Sequence, residues 1–68
     1  MKKPSDSEIL KAMILWGNSF VAFIGRAGLA ADELHLKRLK RAFPDYFIAY
    51  ATIAEMAART NTHQETVS

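Results

Sequence analysis

The stretch His35–Arg41, "HLKRLKR", sets Lys37, Arg38, Lys40 and Arg41 within five residues of one another. A cationic run of this kind grips phosphates, meets an acidic protein surface, or keeps the outer side of a helix wet. At about 100° per residue, Lys37, Arg38 and Arg41 share one side of a helix, and Leu34 falls among them. A purely solubilising side has no use for that leucine. An apolar anchor ringed by long cations has the make-up of a protein-binding spot, because the leucine can be fully desolvated while the charges steer an acidic partner. Leu34, Lys37, Arg38 and Arg41 are therefore the candidate partner-binding residues.

Other reactive groups do not converge. His35 lies beside Asp32 and Glu33, a set that offers a metal ion at most about two good ligands on one helix face. The other histidine, His63, is far along the chain. Ser7 and Ser19 have no nucleophile-elbow motif and no histidine expected to approach them. Gly17, Gly25 and Gly28 match neither a Walker loop nor a dinucleotide fingerprint, both of which follow a strand. There is no cysteine, so disulfides and thiolate metal sites are excluded. No catalytic residue, metal or cofactor is expected. In "RAFPDYFIAY" the aromatics suggest base stacking, but Tyr46 and Tyr50 fall on an apolar stripe that a small bundle must bury.

The elements that position these residues must come from a chain of 68 residues, which is one domain at most. Half of it is hydrophobic, too much for a disordered chain. A domain below roughly 70–80 residues seldom draws more than about 3–5 kcal/mol from its own core, so association is the expected reinforcement. The formal charge of +2 implies no polyanionic partner by itself. "AMILWGNSFVAFIG" spans 14 residues, short of the roughly 20 a membrane helix needs, and reads as a buried helix. "AGLAAD" has the look of a signal cleavage site, yet Asp6 and Glu8 lie where a basic leader would stand. The expected location is cytoplasmic.

Ser5 and Glu8 have capping-box spacing, so helix 1 is expected over about 6–27. Gly28 would end it in the left-handed conformation, with Leu29 folding back. Met13, Trp16 and Phe20 fall on its apolar side, with Trp16 at the centre of the helix, and the apolar arc covers roughly half the circumference. Such an arc puts helix 1 between the other helices or against a second copy. Helix 2 is expected over 31–42, with Leu36, Leu39 and Phe43 as its buried seam and no capping oxygen at Ala30. Pro44 then forces a break and opens helix 3 over 44–59. Its apolar face is read as Tyr46, Ala49, Tyr50, Ile53, Met56 and Ala57, flanked by Phe47, Ala51, Ala54 and Ala58. Residues 1–60 form the domain and 61–68 a solvated tail.

The fold expected is thus all-α, a compact three-helix domain whose first and third helices make the main contact and the assembly surface. Met13, Trp16, Phe20, Tyr46, Tyr50 and Ile53 are its core or oligomer-interface residues. "AGLAADEL" resembles the glycine-leucine turn and acidic helix start of helix-turn-helix repressors, over eight residues. The second tight turn and polar recognition helix of that family are missing, and Asp32 and Glu33 would repel phosphate where a recognition helix reads bases. In length and lack of cysteine the chain resembles small inhibitors and adaptors of phages and plasmids. The function expected is a small non-enzymatic adaptor or inhibitor that binds a protein surface as a homodimer. The alternative is a nucleic-acid-binding regulator using the basic face of helix 2.

Overall fold

Helix formation begins at the capping box. Ser5 Oγ accepts from the Glu8 amide at 3.2 Å and the Glu8 carboxylate accepts from the Ser5 amide at 2.8 Å. The computed structural model describes the backbone of residues 3–67 and the side chains of residues 3–59. It contains four helices, α1 (Asp6–Trp16), α2 (Ser19–Ala30), α3 (Glu33–Ala42) and α4 (Pro44–Val67). α4 runs past the end expected at 59, so the backbone up to Val67 is helical where a tail was expected, while the solvation of the side chains over 61–68 lies outside the described residues.

The all-helical class agrees with the sequence reading, but the three-helix architecture does not. The helix expected over 6–27 is two helices, broken at Gly17 and Asn18. Gly17 closes α1 in an extended conformation, its amide donating to Met13 O at 2.9 Å. Asn18 then serves as N-cap of α2, its side-chain oxygen accepting from the Val21 amide at 3.0 Å. Glycine is a poor helix interior, and a short amide side chain satisfies an orphan amide better at a cap than mid-helix. The turn is tight: a methyl group at position 17 would come within 2.5 Å of Met13 O and 2.6 Å of Val21 Cγ1.

The break sends α2 back along α1. The broad apolar arc of the expected single helix is thereby divided between two helices that bury it against each other. Gly28, expected to stop a helix, lies with Gly25 inside α2 where Leu10 and Ile14 of α1 approach it, and no described glycine has positive φ. α1 packs mainly on α2 and α4, so it is central. Ile9, Leu10, Met13, Val21, Ile24 and Phe47 form the core cluster. Trp16 is the last residue of α1, 54% exposed, and not the buried centre of a long helix.

α2 ends at Ala30, and Asp32, not Ala30, caps α3, accepting from the His35 amide at 2.8 Å. The helix expected from 31 therefore starts two residues later, at Glu33, because Asp32 supplies the oxygen that Ala30 lacks. α3 has no buried residue; Leu36 and Leu39 are half-buried against the core. The corner at Phe43 and the start of α4 at Pro44 follow the reading of the proline. On α4 the buried side is shifted toward the expected flank: Phe47 and Ala54 are buried, Tyr46, Tyr50, Ile53 and Ala57 are half-buried, and Ala49 and Met56 of the expected face are exposed.

Candidate functional site

The basic run lies on α3, and its cations divide by partner. Lys40 reaches across to α1, with Nζ 3.1 Å from Asp6 Oδ1, and helps hold α3 in place. Lys37, Arg38 and Arg41 are exposed and make no ion pair among the described residues. Leu34 is 56% exposed on the same side. The seam of Leu36 and Leu39 faces the core, so Leu34, Lys37, Arg38 and Arg41 form one outward surface spanning about 100° of the helix. The structure brings all four candidate partner-binding residues together.

The neighbouring Asp32–His35 pair is committed to structure. His35 Nδ1 lies 2.8 Å from Asp32 Oδ1, the same oxygen that caps the helix. The backbone amide of His35, then its ring, holds the Asp32 carboxyl below the usual carboxylate range. Among the described residues no group of histidines and acids is arranged to hold a metal ion.

The six residues expected in the core or an interface separate. Met13 is fully buried, Tyr46 and Tyr50 pack half-buried on the core, and Ile53 is half-buried on α4. Phe20 is 55% exposed, but its ring meets Phe43 edge-on at 5.8 Å and Tyr46 at 6.2 Å. Phe43 and Tyr46 stack at 5.8 Å. These rings tie the start of α2 to the corner between α3 and α4. Leu15, Trp16 and Phe23 project from α1 and α2, each more than half exposed.

A groove that sequence reasoning missed runs between α2 and α3, with a volume of about 690 Å³. Its floor is Ala27, Ala30 and Ala31 from the α2 side and Leu39 and Ala42 from α3. Asp32, His35 and Arg38 form the α3 rim, so one member of the basic surface also borders the groove. The available signal was the spacing of Ala27, Ala30 and Ala31, small residues next to the exposed Phe23 on one helical face.

No described helix is long and apolar enough to cross a membrane. Comparison with protein families, curated proteins and solved structures finds no match for the chain.

Proposed function

We propose that the chain is a small non-enzymatic binding module, an adaptor or inhibitor, that receives an acidic protein surface on α3. The observation that carries this reading is Leu34, 56% exposed amid Lys37, Arg38 and Arg41, none of them ion-paired among the described residues. An exposed leucine at the centre is the anchor type that binding desolvates, and rim cations raise the association rate and fix register. Nucleic acid is the weaker reading, because Asp32 and Glu33 stand at the amino end of α3, where a recognition helix meets phosphates and base edges.

Photo-crosslinking tests this. A benzoylphenylalanine at position 34 is expected to give a discrete protein adduct in lysate that an equivalent probe at the exposed Ile48 of α4 does not give. Lys37→Glu and Arg41→Glu should remove the adduct. A nuclease-sensitive adduct, or the same adducts from both positions, would sink the reading. Self-association belongs to the same proposal: Leu15, Trp16 and Phe23 are exposed apolar residues whose burial a homodimer would complete. Sedimentation that stays monomeric at micromolar concentration counts against the dimer.

A further inference from the structure

The groove between α2 and α3 has an apolar bed and a polar lip on one side, formed by Asp32, His35 and Arg38. Its floor of alanines carries nothing larger than a methyl group, apart from Leu39 at the base. A volume of about 690 Å³ falls within the range of functional clefts, but the groove is open and bounded by two helices, which suits a third helix better than an enclosed small molecule. Ridges of large side chains seat where small ones leave room. α1 already approaches α2 closely on its other side, over Gly25 and Gly28.

Charge decides what kind of helix fits. Asp32, the acid on the rim, is occupied by His35. Arg38 borders the groove without an ion-pair partner among the described residues, and Arg41 and Leu34 follow it one turn to either side on α3. A docked helix would find Arg38 on the α3 edge, with Arg41 one turn beyond it, and the alanines of α2 opposite. We infer that the α2–α3 groove receives an amphipathic helix of a partner protein, its apolar stripe on the alanine floor and its acidic flank along Arg38 and Arg41. This rests on the protein-binding reading above and adds the seat and the chemistry of the partner.

The probe is a designed helical peptide with a leucine stripe flanked by glutamates, and a twin with lysines in their place. NMR amide mapping on the full chain should show the glutamate peptide shifting resonances of α2 and α3, with the lysine twin inert. Ala30→Trp fills the groove at an exposed position and should weaken the glutamate peptide at least about tenfold, as a measured change in Kd. Ala27→Trp serves the same purpose if the first variant does not keep the parent's helical signal. Arg38→Glu should weaken the glutamate peptide and admit the lysine twin. The inference is overturned if no binding is found, if the shifts map to α4, or if sedimentation shows that the groove is filled by a second copy. If both tryptophan variants bind normally while Lys37→Glu and Arg41→Glu abolish binding, the groove is not the seat, yet the protein-binding face stands. Equal binding of duplex DNA, lost on Arg38→Glu, would remove both.

Discussion

Gly25 lies under the main chain of Leu10: a methyl group at position 25 would come within 2.6 Å of the Leu10 carbonyl oxygen. Backbone cannot yield as a side chain can, so this approach sets how closely α1 and α2 pack. Exposed helix interiors gain about 1 kcal/mol on Gly→Ala, whereas overpacking a tight contact costs about 1–3 kcal/mol. The steric cost should win at this position. Gly25→Ala is expected to lower the urea midpoint. Gly28→Ala, whose methyl would meet the Leu10 side chain, should lower it less, because that side chain can rotate.

Met13 and Trp16 invert the ranking that size alone suggests. Met13 is fully buried and Trp16 is 54% exposed. Met13→Ala should cost about 2–5 kcal/mol, and Trp16→Ala only about 1 kcal/mol, the share of a large apolar side chain that is covered. Thermal unfolding of the two variants checks this. Met13→Leu, which nearly conserves volume, should keep most of the parent's midpoint.

The bend between α3 and α4 has two supports, Pro44 and the ring contacts of Phe43 with Phe20 and Tyr46. Pro44→Ala alone should keep the compact shape in small-angle scattering, since the rings still hold Phe43 at the corner. Phe20→Ala combined with Pro44→Ala should elongate the particle, because the Phe43–Tyr46 stack that remains joins residues three apart, a spacing a continuous helix also allows. An elongated Pro44→Ala single variant would show that the proline alone sets the bend.

Asp32 ties the start of α3 to pH. Its carboxyl titrates below the usual range in the folded chain, chiefly because the His35 amide donates to it. A depressed folded value means that its stabilisation is complete above the unfolded value, about 3.9, and is lost as pH falls through the folded one. Asp32→Asn keeps a capping oxygen without the charge. The parent should therefore lose α3 amide protection in acid more steeply than Asp32→Asn, read by hydrogen exchange at His35. Equal acid profiles would refute the linkage.

Both ends of the sequence reading were guided by local signals that need no tertiary partner. Ser5 with Glu8 and the proline at 44 act within one turn, and both marked true boundaries. The outward grouping of Leu34, Lys37, Arg38 and Arg41 was legible for the same reason, since helical spacing alone places them. Gly17–Asn18 was not, because Ile14, Leu15 and Trp16 before it and Phe20 and Val21 after it continue an apolar run. Asn18 was the signal, a cap residue directly after a glycine, but no acid three residues on completes a capping box. Gly25 and Gly28 look the same in sequence whether they end a helix or admit a neighbour; only the position of Leu10 decides. The groove depends on how α2 and α3 lie together, which no single-helix periodicity encodes.

The turn at Gly17 and Asn18 also bears on the order in which the chain can organise itself. Because α1 and α2 are consecutive, the contacts of Leu10 with Gly25 and Gly28 close a short loop and lose little chain entropy. Local pairings of this kind favour fast folding. A chain emerging amino end first holds a self-burying hairpin once Ala30 is free, before α4 has been made. Phe47 and Ala54 then have a formed surface to land on, so the last helix docks onto a template and draws the basic α3 into place between α2 and α4.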